Sequence, residues 1–186
     1  NGGDTKTLTL WLDGRAEQGV AVAQAVAVEL PKGLEVEDVQ LEQGPYKLSL
    51  NLKAKLHKGQ SYSFTKYIAA SREGWGGNAQ ADLALATQAR KTGFDSLLAK
   101  HQAAWHALWK SDIRIDGDAK VQQAVHSDLY YLLSNTTVGT SWPMGACALT
   151  PGYAGHAFWD SDSWVFPALL LLHPERAKPI VMFRHR

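Results

Sequence analysis

The segment from Pro151 to Pro167 gathers the side chains of this sequence that are best suited to chemistry. It reads Pro-Gly-Tyr-Ala-Gly-His-Ala-Phe-Trp-Asp-Ser-Asp-Ser-Trp-Val-Phe-Pro. An aromatic ring beside a carboxylate suits a sugar, because the ring stacks on the apolar C–H face of a pyranose and the carboxylate accepts hydrogen bonds from its hydroxyls. The pattern suits a small carbohydrate as ligand, and the candidate binding residues are Tyr153, His156, Phe158, Trp159 and Asp160.

The same residues also fit a purely structural role, and the residues alone leave both interpretations open. Asp160 opens an apolar helical segment, where the positive end of the helix would keep its carboxylate ionised and hold it in place. Equally, Asp160 or Asp162 could only cap that helix while the nearby tryptophans fill a core.

Other candidate motifs point away from metals and cofactors. The stretch from Asp112 to Asp118 looks superficially like a calcium loop, but Arg114 occupies the third position, where such a loop needs an oxygen ligand. We therefore predict a strand-like connector with Asp118 as a helix N-cap, and we predict no metal site and no cofactor. Cys147 is the only cysteine, so it makes no internal disulfide and is predicted to be a small core residue.

The overall composition excludes several classes of partner. The chain has 186 residues, and 19 basic against 18 acidic side chains give a net charge of +1, so no strong field attracts nucleic acid. The longest apolar run, Val165 to Leu172, is far shorter than the ~20 residues of a membrane span. We therefore predict no nucleic-acid and no membrane partner, while the oligomeric state and the compartment stay open.

Short β-rich segments dominate the chain before residue 73. The run from Thr7 to Leu12 ends at Asp13-Gly14, which is a hairpin signal. Polar and apolar residues alternate from Tyr46 to Leu56, as in a strand with one face in water. Strands separated by turns at these intervals predict a β-sandwich portion over residues 1–72.

Helical periodicity follows the glycine-rich connector of residues 71–78. It predicts helices over Ala79–Lys91, Phe94–Lys110 and Lys120–Leu133, each without an interior proline. Asp160–Leu172 is apolar on almost all faces, so this helix must be surrounded by protein. His173-Pro174 opens a further helix. One-sided and all-round apolar helices together suit a concentric helical arrangement.

The stretch from Gly152 to Asp160 resembles the signature of glycoside hydrolase family 65. The similarity continues through Pro167, Pro174-Glu175 and Ala177-Lys178 to Phe183-Arg184, and upstream in the spacing of Trp105, Trp109, Asp112 and Gly117-Asp118. It covers about residues 95–186, whereas the β-region is similar only in general character. That family contains acid trehalases, kojibiose hydrolases, the glucosidase of glucosylgalactosyl-hydroxylysine, and several disaccharide phosphorylases.

The resemblance implies an architecture of three parts. These are an N-terminal β-sandwich portion (1–72), a linker with helices (73–117) and the truncated first part of an (α/α)6 barrel (118–186). It also implies inverting attack on an α-glucoside, with Trp159 against the non-reducing glucose and Asp160 accepting its hydroxyls. Asp162 stands where the phosphorylases usually have Glu, and together with Trp164 this favours the hydrolases.

The resemblance further implies that no catalytic residue lies in this chain, because the family's general acid and base come well downstream of the Trp-Asp motif. We therefore expect the chain alone to be inactive and to need the rest of the same polypeptide as its partner. The chain begins at Asn1-Gly2-Gly3 without Met, and this too is expected of a piece of a larger protein. The alternatives are a disaccharide phosphorylase and a non-catalytic sugar-binding or structural module.

Overall fold

Strands come first in the chain and helices follow. The computed structural model describes residues 1–16, 19–45, 47–72, 74, 77–142, 144–147 and 152–185. The strands are β1 (Gly2–Asp4), β2 (Thr9–Arg15), β3 (Ala21–Glu29), β4 (Glu35–Gly44), β5 (Lys47–Lys55) and β6 (Thr65–Arg72). The α-helices are α1 (Ala79–Thr92), α2 (Phe94–Leu108), α3 (Ala119–Ser134), α4 (Phe166–Leu172) and α5 (Pro174–His185). The chain divides into two compact units, Asn1–Ala103 and Ala104–Arg186, so the division falls within α2.

In the first unit, a four-stranded antiparallel sheet has the order β1-β2-β3-β6, and helix α1 packs on it. Small side chains make this close packing possible. Ala23, Ala25 and Ala27 are buried at alternate positions of β3, as expected for one face of a strand. Ala79 and Ala86 are the buried alanines of α1.

A second, two-stranded sheet pairs β4 with β5. The predicted alternation from Tyr46 to Leu56 is confirmed over Lys47–Lys55 as β5; Tyr46 lies outside the described residues, and Leu56 follows the strand and is 62% exposed. Charge complementarity accompanies the pairing: Lys53 Nζ lies 2.9 Å from Glu37, and Lys47 Nζ lies 2.8 Å from Glu42. The family's β-sandwich stays a prediction beyond these two sheets.

The predicted hairpin turn at Asp13-Gly14 is wrong. Both residues lie inside β2, where Gly14 pairs with Val22 of β3. The chain reverses after Arg15 instead, and the amide of Ala16 donates to the carbonyl of Val20 at 2.8 Å. Asp13 has a tertiary contact instead of a turn role: its Oδ1 accepts a 2.6 Å hydrogen bond from the amide of Ala79, at the start of α1. This bond satisfies one of the amides that a helix leaves unpaired at its N-terminus.

In the second unit, helix α3 begins as predicted, because Asp118 is its N-cap. The Asp118 side chain accepts from the amides of Lys120 and Val121 at 2.9 and 3.1 Å. The core of this unit lies where α3 meets α4 and α5. Its buried members are Leu133, Leu169, Ala177 and Ile180.

The segment predicted as one helix over Asp160–Leu172 has two parts. A π-helix spans Ser161–Val165, and α4 follows it from Phe166. Because this segment is apolar on almost all faces, some of its leucines are exposed in this chain: Leu171 is 84% exposed and Leu170 is 48% exposed. The (α/α)6 barrel that would cover them stays a prediction. No helix within the described ranges is both long and apolar enough to cross a membrane.

Candidate functional site

The loop before the Trp-Asp pair is held in an unusual backbone conformation. A 3₁₀ turn spans Gly152–Gly155, and inside it Tyr153 and Ala154 have φ angles of 54° and 50°. Residues other than glycine rarely adopt this left-handed region, which costs free energy and is found most often at functional sites. The amide of His156 then donates to the carbonyl of Tyr153 at 3.0 Å and closes the turn.

Three of the predicted sugar-binding aromatic side chains are exposed. Tyr153 and Phe158 pack edge to face, with ring centroids 5.4 Å apart. The Trp159 side chain is 73% exposed, so it does not pack into the core that the described residues form. His156 is also exposed, and its imidazole makes no hydrogen bond or ion pair with the residues the structure describes. The structure thus brings Tyr153 to Phe158 but gives His156 no such contact.

The Trp-Asp pair stands directly before the π-helix. The amides of Asp162 and Ser163 both donate to the carbonyl of Trp159, at 3.0 and 2.9 Å. Pro167 explains the wide turn that follows: it has no N–H, and its ring would collide with the carbonyl four residues earlier in a regular α-helix. Single π turns of this kind are frequent at functional sites.

Asp160 does not cap the helix. Its backbone is itself helical, with φ −56° and ψ −38°, and its side chain makes no capping hydrogen bond. The carboxylate is exposed and has no hydrogen bond or ion pair to any of the described residues. The capping interpretation therefore fails for Asp160, which leaves this carboxylate available to a ligand.

Asp162, by contrast, is paired with Arg184. The Nη2 of Arg184 lies 2.7 Å from Asp162 Oδ2, and its Nε lies 3.0 Å from the same oxygen and 3.3 Å from Oδ1. The hydrogen bond from Arg184 lowers the pKa of the Asp162 carboxyl below its ordinary value, and partial burial opposes that shift. The hydrogen bond to Asp162 in turn raises the pKa of Arg184.

Arg184 also contacts the Trp-Asp loop directly. Its guanidinium carbon lies 4.7 Å from the centroid of the Trp159 ring, within the range of a cation–π contact. Its Nη2 donates to the carbonyl of Phe158 at 3.0 Å. Sequence reasoning missed this role of Arg184, which it noted only as part of a motif. Asp162 and Arg184 are 22 positions apart in sequence, and no local periodic signal would pair them.

Two acidic residues of the stretch that looks like a calcium loop, Asp112 and Asp118, have structural partners. Asp112 Oδ1 lies 2.9 Å from His126 Nε2, and Asp118 caps α3. The Gln122 side chain bonds the amide of Ile115 and the carbonyl of Ile113 at 2.7 and 2.9 Å. Together these contacts fasten the connector to α3. Among the residues that the structure describes, no three His, Cys, Asp or Glu side chains come together as metal ligands. Cys147 is half-buried.

Comparison with known proteins points to one family. The family model "Glycosyl hydrolase family 65, N-terminal domain" matches residues 2–108. The family signal therefore reaches into the β-region, where sequence reasoning saw only a general similarity.

Individual relatives include hydrolases and phosphorylases. A kojibiose hydrolase of Mucilaginibacter mallensis is 53% identical over 100 residues, covering 52% of this chain and 14% of that protein. A protein-glucosylgalactosylhydroxylysine glucosidase of Dictyostelium discoideum is 38% identical over 89 residues, covering 47% of this chain and 12% of that protein. An alpha,alpha-trehalose phosphorylase of Thermoanaerobacter brockii is 33% identical over 150 residues, covering 78% of this chain and 19% of that protein. The matches thus span less than a fifth of the length of each of these relatives.

Proposed function

Because the chain belongs to glycosyl hydrolase family 65, we propose that it is part of a longer, inverting glycoside hydrolase that acts on α-glucosides. Kojibiose- or trehalose-type disaccharides and glucosyl conjugates are the proposed substrates. This chain contributes the Trp-Asp pair that binds the non-reducing glucose. The general acid and base are supplied by the remainder of the polypeptide.

One observation carries the proposal: an exposed indole and a carboxylate with no partner among the described residues are neighbours on the same backbone segment. Trp159 offers an apolar face for the C–H groups of a pyranose, and Asp160 offers acceptors for two hydroxyls. The backbone around them is fixed by the hydrogen bonds to the Trp159 carbonyl. A rigid site loses less entropy when it binds, which suits a small polar ligand.

A hydrolase is favoured over a phosphorylase by the pattern of similarity. Two kojibiose hydrolases are 53% and 46% identical over 100 and 97 residues, whereas kojibiose and trehalose phosphorylases are 33–35% identical over 96 to 150 residues. The Asp at position 162 supports the same choice. A phosphorylase is nevertheless the second candidate, because the trehalose phosphorylase match covers 78% of this chain.

Product analysis of the full-length protein separates these two reactions. Incubation with kojibiose and with trehalose, with and without inorganic phosphate, should release glucose alone in both conditions. Glucose 1-phosphate that forms only with phosphate would establish the phosphorylase instead. The isolated 186-residue chain should release no glucose, because it holds no acid and base pair for inversion. Turnover by that chain alone would contradict this division of labour.

The sugar-binding role of Asp160 has its own test in the full-length protein. Asp160→Asn keeps the size of the side chain but removes its charge, and it should weaken glucose binding by about 1.5–3 kcal/mol. Asp128→Asn is the matched control, since Asp128 is an exposed aspartate on α3. Equal affinities for the two variants would favour the non-catalytic or structural module.

A further inference from the structure

We propose that Arg184 is a positioning residue of the sugar subsite. It supports one face of the Trp159 indole and occupies the Asp162 carboxylate, so that the other indole face and the Asp160 carboxylate are left for the sugar. This inference rests on the proposed function of the Trp-Asp pair and assigns its supporting residue.

The first support is the way that Arg184 uses its donors. The guanidinium is planar with donors in a fixed fork, so several simultaneous bonds define its orientation. Here Nε and Nη2 both engage Asp162, and Nη2 also reaches the carbonyl of Phe158. That carbonyl belongs to the residue immediately before Trp159. Arg184 therefore binds the backbone of the residue before the Trp-Asp pair and the side chain of Asp162 after it.

The second support is the state of the Trp159 ring. The guanidinium lies over this ring at 4.7 Å, yet the side chain remains 73% exposed. An indole has two faces, and contact on one of them leaves the other open to stack on a pyranose. An exposed ring without such a contact would sample several rotamers, and binding would then cost the entropy of fixing one.

The third support is the division of labour between the two aspartates. Asp162 Oδ2 accepts from Arg184 Nη2 at 2.7 Å and from Arg184 Nε at 3.0 Å, so this oxygen is already engaged by the guanidinium. Asp160 has no such partner within the part of the chain that the structure describes. The Arg184 charge also offsets that of Asp162, which lowers the repulsion between two carboxylates that stand two positions apart. Asp160 is therefore the carboxylate free to bind hydroxyls.

The fourth support is that the helix carrying Arg184 is well anchored. Ala177 and Ile180 of α5 are buried in the core with Leu133 and Leu169. Arg184 follows on the same helix, so its backbone position is set by the packing of the preceding turns. The positioning contact thus links the subsite to the core of its unit.

The test measures kcat and KM separately in the full-length protein, with kojibiose and trehalose as substrates. Arg184→Met keeps an unbranched apolar stem but removes the guanidinium and its charge, and KM should rise about tenfold with kcat changed less than about threefold, because uniform binding is lost. Arg184→Lys should recover only part of the loss, since an ammonium group cannot reproduce the fork.

The matched control is Arg176→Met on the same helix. Arg176 donates to the carbonyls of Leu133 and Thr136 at 3.2 and 2.8 Å, so its loss is structural and should lower stability without a rise in KM. Equal KM values for the two Met variants would overturn the positioning role. A second outcome that would overturn it is a larger loss of affinity in Asp162→Asn than in Asp160→Asn, because Asp162 would then be the sugar ligand.

The Asp160→Asn and Arg184→Met variants together distinguish a failure of this inference from a failure of the proposed function. If Asp160→Asn has no effect on sugar affinity, the subsite itself is wrong. If Asp160→Asn weakens binding while Arg184→Met does not, only the positioning role is wrong. If Arg184→Met fails to fold, Arg184→Lys provides the test. A KM equal to that of the unaltered protein would overturn the positioning role of the guanidinium, and a raised KM would support it.

Discussion

Arg90 connects the last turn of α1 to the carbonyl of Val28 near the end of β3. Its Nη1 donates to that oxygen at 3.0 Å and to the carbonyl of Thr7 at 2.6 Å. At the other end of α1, Ser71 of β6 donates to the buried carboxylate of Asp82 at 3.0 Å. The helix is thus fastened to the four-stranded sheet by polar contacts in both its first and its last turn.

The Arg90 contact predicts a measurable loss of protection in α1. Arg90→Met removes a charged donor from two backbone carbonyls and should destabilise the helix end by about 1–3 kcal/mol. Amide hydrogen exchange over residues 79–92 measures this locally. Lys91→Met is the control, because Lys91 is an exposed cation one position further along. Equal protection in both variants would mean that the Arg90 bonds contribute nothing.

The space around Gly3 in β1 is filled, so we predict that this position accepts no side chain. A Cβ there would lie 2.7 Å from a methyl carbon of Leu10, 2.7 Å from one of Leu41 and 2.9 Å from the carbonyl oxygen of Thr9. The backbone oxygen cannot move aside easily, so Gly3→Ala should cost about 1–3 kcal/mol of unfolding free energy. Gly44→Ala is the control, since its nearest neighbour would be 3.9 Å away. Urea denaturation should show a lower midpoint for Gly3→Ala alone.

The pairing of Asp162 with Arg184 predicts a response to acid. The bond lowers the pKa of the folded carboxyl, so its contribution to stability is present above the unfolded pKa of about 3.9 and is lost as the pH falls through the lower folded value. The effect is modest because water screens both side chains. Amide exchange at the end of α5 should therefore accelerate at low pH beyond its intrinsic trend. Asp162→Asn should remove that extra acceleration, and Asp128→Asn should keep it.

Two equally exposed tryptophans predict different effects on sugar binding. Trp159 and Trp164 are each 73% exposed, but the Arg184 guanidinium packs against Trp159. Trp159→Leu in the full-length protein should weaken glucose binding by about 1.5 kcal/mol through lost stacking. Trp164→Leu should leave the affinity within about twofold, a difference of roughly 0.4 kcal/mol at RT of about 0.6 kcal/mol. Titration of both variants with glucose distinguishes them, and an equal loss would contradict the assignment of Trp159 as the stacking residue.

Local patterns allowed much of the secondary structure to be predicted. Period-two alternation located β5, and helical periodicity with Asp118 as N-cap located α3. Both signals depend on residues that are neighbours in sequence, so they can be read without knowledge of the fold. The β4 strand extends from Glu35 to Gly44, where its acidic residues face the lysines of β5. That extension depends on the partner strand.

Long-range contacts explain what sequence reasoning missed. Asp13-Gly14 has the composition of a turn, yet the bond from Ala79 to Asp13 and the register with β3 keep both residues in a strand. Arg184 likewise meets Asp162 only because the turn between α4 and α5 brings the second helix back. The Trp-Asp pair could be found from its residue types, whereas the side chain that supports it could be found only from coordinates.

The π-helix of Ser161–Val165 makes the length of this segment as important as its composition. Each residue of an α-helix turns the chain by about 100°. Deleting one residue between Ser161 and Val165 would restore a regular hydrogen-bond ladder, but it would rotate Trp159 and Asp160 by about that angle relative to the buried Leu169. A relative that lacks one residue here would have the same Trp-Asp pair in its sequence, but the two side chains would point in a different direction. The shared pair would then not imply a shared subsite.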